Sequence, residues 1–577
     1  MQELRVISKF FKIINFCNLK KYFFFFILYL FNFFFEAINL ALVIPLLHVI
    51  LDPSSYEKYK SYFNLNIEVS QKNLIILFGL ALILINAIKF IFLIYSSHIQ
   101  KKFLAKIKRV ISSKLFSCYM KKDYSFHIAN NSSKLSSNII ESNYFVTVAE
   151  ASMNLINESF IMIGFVIILF LYNPIISIIV FFSIIFALLL FYYLIQSKNK
   201  FWGQIRKINN SLLLNQIKQG FGGLKELKIL GRIEEVIKKF DYYNNLNSKS
   251  LYKQSFYASI PRLWFDFLGV IILCFLIIFM IFSNYETVLI FSTTSLYILA
   301  LYRLLPSANK IMISLQHLRF FKSVLDTIYF ELTTEKNDNK LEYNYLKLKK
   351  NISFDKSIIL KNIYYSHANS KSLLLENFNF EFLKGKFYGI YGSSGVGKST
   401  LVNIILGLLE PQSGIILVDG KKIDRENIRA WQNLIGYVPQ DIYLNDDTIC
   451  NNIALGVANK DINHNLVDEV INLSKLDKFI NSLPHGKYTV VGELGDKISG
   501  GQRQRIGIAR ALYLKPQLLI FDEATNALDY DAEQEILREI DLLKKDKTII
   551  FISHRFRKTE DFIKLYEFQK QGLVEKK

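Results

Sequence analysis

The clearest chemistry in the chain is written in eight consecutive residues, Gly392-Ser-Ser-Gly-Val-Gly-Lys398-Ser399. Glycines at this spacing let backbone N–H groups close around phosphate oxygens, and the lysine adds a point charge for the β- and γ-phosphates. The serine hydroxyl suits Mg2+. Such a loop must leave a strand and open a helix. Here the apolar run Phe387–Ile390 precedes it and Thr400–Leu408 follows it, so a helix N-terminus adds its dipole. Gly392, Ser393, Gly395, Gly397, Lys398, Ser399 and Thr400 are therefore expected to bind ATP.

About 120 residues on, the apolar run Leu518–Phe521 ends in Asp522-Glu523. A buried strand ending in Asp sets a carboxylate beside the phosphate loop. Asp522 is expected to hold Mg2+, and Glu523 to polarise the attacking water. The pair means little alone; at this separation from a phosphate loop it means a nucleotide-hydrolysing site.

Between them lies Ile498-Ser499-Gly500-Gly501-Gln502. It resembles the LSGGQ signature of ATP-binding-cassette (ABC) proteins, with Ile498 in place of leucine. The resemblance implies further roles in order along the chain. Gln440, in Tyr437-Val-Pro-Gln440, is similar to the Q-loop glutamine, a further Mg2+ and catalytic contact. Val491–Gly495 resembles the loop ahead of the signature in exporters. Ala527-Leu528-Asp529 resembles the D-loop, and His554 the switch histidine. His367 stands where the family stacks an aromatic ring on adenine, with Tyr365 turned to the core. One chain supplies one phosphate loop and one signature, so the resemblance implies a homodimer. Ser499, Gly500, Gly501 and Gln502 would then act on the partner's ATP, with Asp529 at the shared interface.

The elements around these motifs fall into two classes. After residue 351 strand-like and helical runs alternate, which predicts an α/β domain over 351–577 with a mostly parallel sheet. Before it, 51% of the whole chain being hydrophobic and 50 residues being Phe, the sequence reads as membrane-embedded. Six apolar segments, at about 22–50, 74–96, 146–171, 174–195, 258–283 and 286–310, are each long enough to span a bilayer. The expected fold class is thus a membrane all-α six-helix domain (1–332), a polar linker (333–350) and a cytoplasmic α/β P-loop ATPase domain, an exporter-type architecture. The first apolar run is too long for a cleaved signal peptide and is read as a retained helix.

Net charge is +21. Its distribution explains it. Lysine and arginine crowd the segment before span one and the loops 97–145 and 196–257, while the opposite connections are poor in them. By the positive-inside rule both termini and the ATPase domain are expected to be cytoplasmic, and nucleic-acid binding loses its support. The two long basic loops read as helical extensions, and Gly220–Gly231 as a coupling turn or an ordinary amphipathic turn and helix. The four cysteines, Cys17, Cys118, Cys274 and Cys450, have no disulfide or zinc spacing.

Charges inside spans are costly, an arginine at mid-bilayer about 2.5–3.5 kcal/mol on insertion scales. Glu36, Lys89, Arg262, Arg303 and Lys310 are such residues. Lys89 pairs with Glu36 or snorkels. Arg303 and Lys310 share a helix face and, with Arg262, are expected to line a basic, wet cavity for an anionic headgroup. Pro306 frees the Tyr302 carbonyl and favours a kink between them. The run ALYRLLPSANKIMISLQHL and the layout of the chain resemble PglK-type flippases of lipid-linked oligosaccharides. That resemblance implies a polyprenyl-diphosphate oligosaccharide moved between leaflets for protein N-glycosylation. The alternative is export of another lipid, such as a lipopolysaccharide precursor, or of a peptide or drug. The aromatic segment Tyr56–Phe63 reads as an interfacial helix or loop, available to meet membrane lipid.

Overall fold

The computed structural model describes residues 8–13, 20–51, 71–338, 352–367, 372–492, 495–524, 538, 547–553 and 564–576. The chain forms two compact units. One comprises Met1–Lys122 and Ala129–Lys340; the other comprises Asp123–Ile128 and Leu341–Lys577.

The first unit is helical. Its elements are α1 (Lys20–Leu51), α2 (Gln71–Lys121), α3 (Tyr124–Ala129, shared with the second unit), α4 (Ser132–Glu141), α5 (Asn143–Tyr172), α6 (Pro174–Gly222), α7 (Leu224–Ile229), α8 (Ile233–Phe282), α9 (Thr287–Phe320) and α10 (Lys322–Asp338). Six helices are long and apolar enough to cross a membrane, at the positions the sequence indicates. The 51, 49 and 50 residues of α2, α6 and α8 give lengths of ~75 Å, more than twice a ~30 Å hydrocarbon core. The long basic loops are therefore continuations of these spans. Helix α10 also runs to Asp338, inside the segment read as a linker. The expected interfacial segment Tyr56–Phe63 lies outside the described residues.

Packing follows the helical repeat. On α6, Val180, Ile184, Ala187 and Phe191 are buried, while Phe182, Phe186 and Leu189 face outward. On α8, Phe265, Gly269, Ile272, Leu276 and Met280 form the buried stripe. The turn between α5 and α6 is set by Asn173, whose extended backbone ends one helix and whose Oδ1 caps the next by accepting from Ile176 N at 3.3 Å; Pro174 then starts α6. Helix α9 continues as helix through Pro306. Away from the apolar spans, Arg206 of α6 is buried against Glu141 of α4, donating through both terminal nitrogens, with its guanidinium 4.3 Å from the Tyr144 ring centroid. A Cβ on nearby Gly203 would lie 2.0 Å from the Phe320 carbonyl, so only glycine allows α6 to approach α9 there.

The second unit is built on a sheet with strand order β5-β4-β1-β2-β10-β9-β3-β8-β7-β6. The strands are β1 (Ser357–Tyr365), β2 (Leu375–Leu383), β3 (Phe387–Tyr391), β4 (Ser413–Val418), β5 (Lys421–Lys422), β6 (Ile435–Val438), β7 (Leu518–Asp522), β8 (Thr548–Ile552), β9 (Lys564–Gln569) and β10 (Gly572–Glu575). Strands β3, β8, β7 and β6 run parallel. Both faces of the middle strands are covered: Leu518 and Ile520 of β7 enter one core, Leu519 and Phe521 another. This is why β7 and β8 read as unbroken apolar runs.

Candidate functional sites

The parallel register brings the motifs to one edge. β3 ends at Tyr391 and opens into the phosphate loop, β7 ends at Asp522, and β6 ends two residues before Gln440. Ligands of open α/β sheets bind at this carboxyl edge. The loop turns through Gly395 (φ 78°) and Gly397 (φ 118°), a backbone region that favours glycine. It delivers Lys398, Ser399 and Thr400 into the first turn of the next helix, α11 (Lys398–Ile405).

Lys398 is buried, and its Nζ donates to the carbonyls of Gly392 at 2.8 Å and Ser393 at 3.1 Å. The ammonium thus rests on the loop it serves. Burial lowers its pKa, opposed by the charges of Glu523 and Asp522. Asp522 and Glu523 are both buried. Burial and the adjacent Glu523 raise the Asp522 pKa, while Tyr437, the Ser399 hydroxyl and Lys398 pull it down. Tyr437 donates to Asp522 Oδ2 at 3.4 Å, and Asp522 Oδ1 is buried with no hydrogen bond among the described residues. Glu523 takes a left-handed backbone, φ 53°, held by its N–H donating to the Ile552 carbonyl at 3.0 Å. Sequence reasoning missed Tyr437, although it stands three residues before Gln440 on the strand beside Asp522.

The signature residues start a helix, α16, after four short ones, α12 (Ile428–Gln432), α13 (Ile449–Ile453), α14 (His464–Leu473) and α15 (Asp477–Asn481). In α16 (Gly500–Tyr513), Ser499 is the N-cap: its Oγ accepts from Gln502 N, and the Gln502 side chain accepts from Ser499 N at 2.9 Å. Ser499 and Gly500 are exposed; Gly501 and Gln502 are partly so. The same helix grips the chain after Gln440. A Cβ on Gly507 would lie 2.4 Å from the Ile442 side chain, and Arg510 donates to the carbonyls of Tyr443 at 2.9 Å and Asn452 at 2.8 Å. At the end of β1, Tyr365 is buried and His367 exposed, with Tyr365 Oη and His367 Nδ1 3.4 Å apart. Asp529, His554, Glu493 and Leu494 lie outside the described residues.

The second site is inside the helical bundle. Arg303 Nε donates to Glu36 Oε1 at 2.9 Å, and Lys89 Nζ lies 2.9 Å from Glu36 Oε2. Arg303 Nη2 is 3.9 Å from Glu158 Oε2, and Lys310 Nζ donates to Glu158 Oε1 at 2.9 Å. Ser307 Oγ donates to Glu158 Oε2 at 2.8 Å, and Asn157 joins at 3.4 Å. Both carboxylates are almost fully buried, whereas the Lys310 side chain is 54% exposed. Three cations from α2 and α9 therefore share two carboxylates from α1 and α5.

Arg303 and Lys310, expected to line a basic cavity, thus carry counter-charges of their own. Glu158, overlooked within the third span, anchors both Arg303 and Lys310, because a buried cation needs a counter-charge. Lys89 pairs with Glu36 as one of its expected alternatives. Arg262 stands apart: its side chain is 78% exposed, with Asp266 at 4.0 Å. The segment 220–231 holds the short helix α7, flanked by Gly223 and by Gly231 in the left-handed region.

Comparison with known proteins matches the features just described. The family model of the ABC transporter transmembrane region matches residues 22–305, and that of the ABC transporter matches 375–526. A solved bacterial Atm1-family ABC exporter with ATP bound superposes with a TM-score of 0.72 over 93% of each chain at 21% identity, which concerns the fold. The chain thus combines the ABC transporter transmembrane region with the ABC transporter ATP-binding domain in an exporter-type fold. Relatives include an ATP-dependent lipid A-core flippase of Wigglesworthia glossinidia brevipalpis, 31% identical over 382 residues, 64% of either chain. Another is the alpha-hemolysin translocation ATP-binding protein HlyB of Escherichia coli, 38% identical over 221 residues, 38% of this chain and 31% of that one. The matched stretches span between about a third and two thirds of such relatives.

Proposed function

We propose that the chain is half of an ATP-driven lipid exporter, acting as a homodimer in a bacterial inner membrane with its ATPase domains and both termini in the cytoplasm. The loop 392–399, Lys398 and Thr400 hold the ATP phosphates, and His367 stacks on adenine. The exposed Ser499–Gln502 turn meets the partner's γ-phosphate. Gln440 orients the attacking water, Glu523 takes its proton, and His554 with Asp529 completes the site across the dimer. Mg2+ fits the residues present: the unsatisfied Asp522 Oδ1 with the Ser399 hydroxyl and Gln440 suits a hard cation. When bound, it would neutralise charge on the phosphates.

The cargo is an anionic lipid headgroup, and the observation that carries this is Arg303. It is a fork-shaped donor shared between two carboxylates, one at 2.9 Å and one at 3.9 Å. A phosphate brought into the bundle competes with Glu36 and Glu158 for it and for Lys310. The relative named as a lipid A-core flippase favours a phosphorylated glycolipid. Its 382 matched residues exceed the ATPase domain and so extend into the membrane domain. The polyprenyl-diphosphate oligosaccharide of protein N-glycosylation has the same headgroup chemistry and is the second reading. Arg262, exposed near the basic end of α8, would meet the headgroup on its approach.

Proteoliposomes test both. ATP-dependent appearance of a lipid A-core glycolipid in the far leaflet, exceeding that of a polyprenyl-diphosphate glycan, is the expected result. Reversed preference moves the assignment to the second reading, and transport of neither overturns the lipid assignment.

A further inference from the structure

A cavity of about 810 Å³ opens between α1 and α2, on the side where α2 leaves its apolar run. Phe24, Phe25 and Phe103 supply an apolar wall; Lys102, Lys106 and Arg109 supply a basic one. The three cations are spaced four and three residues apart, so they share one face of α2. All three are exposed, and none has an ion-pair or hydrogen-bond partner among the described residues. Their neighbour Lys101, by contrast, lies 2.6 Å from Glu150.

Position makes this arrangement specific. The apolar run of α2 ends near Ser96, so the cations begin ~9 Å beyond it along the helix and end ~20 Å beyond it. Side chains on a helix lean toward its N-terminus. For α2 that direction is back toward the membrane, so Lys106 and Arg109 reach toward the headgroup layer. A free anion would use only the cations and leave the phenylalanine wall without purpose. A lipid with an anionic headgroup uses both.

We propose that this cavity binds an anionic phospholipid from the adjoining leaflet, its phosphate on Lys102, Lys106 and Arg109 and an acyl chain against Phe24, Phe25 and Phe103. The site is separate from the charges inside the bundle and does not depend on which cargo is moved. Basic pockets beside spans bind such headgroups by charge, with each cation near the surface adding a similar increment.

The test uses the full chain in nanodiscs of mixed phosphatidylcholine and phosphatidylglycerol, with retained lipid counted by native mass spectrometry. Removing the cations in a K102Q/K106Q/R109Q variant is expected to weaken phosphatidylglycerol retention about fivefold per cation, on the order of a hundredfold for all three. K108Q, an exposed cation on another face of α2, is expected to retain the lipid. Excess inorganic phosphate is expected not to displace it. Four results would overturn the proposal: wild-type retention in the triple variant, equal loss in K108Q, displacement by phosphate, or lipid-independent cross-linking of Lys106→Cys between two copies. The last would make the cavity a contact between chains.

Discussion

Asp522 and Glu523 lie side by side at the end of β7, two like charges beside Lys398; Glu36 and Glu158 lie in the helical bundle, and each is served by two cations. Both pairs are buried. In the first, Asp522 keeps one carboxylate oxygen without a hydrogen bond among the described residues. The second is complete within the chain. A site that expects a charged ligand leaves its own charge uncompensated, while a site that must survive in hydrocarbon neutralises itself. On the proposed function, the bundle exchanges an internal ion pair for its cargo, whereas the ATPase site needs only to be filled.

The comparison breaks first at Glu523. If it is the general base, Glu523→Gln lowers ATP hydrolysis by about 10²–10⁴-fold while ATP is still retained. Single-turnover hydrolysis beside nucleotide binding measures both. Hydrolysis near the wild-type rate would remove Glu523 from that role and weaken the contrast from the ATPase side.

The next test is Glu158→Gln. It leaves Lys310, Ser307 and one edge of Arg303 facing a neutral amide. Removing one partner of a buried pair costs about 3 kcal/mol, the lower end being apt because Lys310 is half exposed. Thermal unfolding in detergent should show the loss. An unchanged Tm would mean that the network is wetter than its burial implies.

The two sites also differ in how far the sequence revealed them. Lys398, Ser399 and Thr400 follow one another in a fixed spacing, and β3, β7 and β6 carry their motifs to one sheet edge by parallel pairing. Local spacing and strand period predict that convergence. The exceptions are instructive: Tyr437 is ordinary until β6 is seen beside β7. In the bundle, Arg303 meets Glu36 across 267 residues of chain and Lys310 meets Glu158 across 152. No spacing rule connects such positions, because helix packing brings them together. The cations and Glu36 stand out in the sequence as charges within apolar spans, whereas Glu158 lies in a span with a polar start and does not, so the charge balance is not legible from the sequence. Span positions were legible because hydrocarbon imposes length and apolarity. The length of α2, α6 and α8 was legible only as basic, helix-compatible loops.

Arg303→Ala against Arg262→Ala sharpens the comparison within the membrane unit. Loss of the shared guanidinium should lower transport about tenfold at constant basal ATPase, the scale of a hydrogen bond to a charged group. Arg262, exposed and only weakly paired, should show a smaller loss. Equal falls in transport and ATPase for Arg303→Ala would mark a structural role.

The smallest effect concerns Asp522 itself. Asp522→Asn removes a buried charge that costs stability until a cation arrives. Because burial and Glu523 raise the Asp522 pKa above its unfolded value, the sign is fixed. Its stabilising contribution is full below the ordinary aspartate range and is lost as pH rises through the elevated folded pKa. Without nucleotide and Mg2+, Asp522→Asn should therefore be more stable than wild type at neutral pH by about 1 kcal/mol. The advantage should shrink on acidification toward the ordinary aspartate pKa. With Mg2+ and ATP present the order should reverse, since wild type alone gains the bound cation. Calorimetry of both proteins in the two buffers reads the reversal. If Asp522→Asn is destabilised in both, the carboxylate is already satisfied within the chain, and the two charge clusters follow one plan.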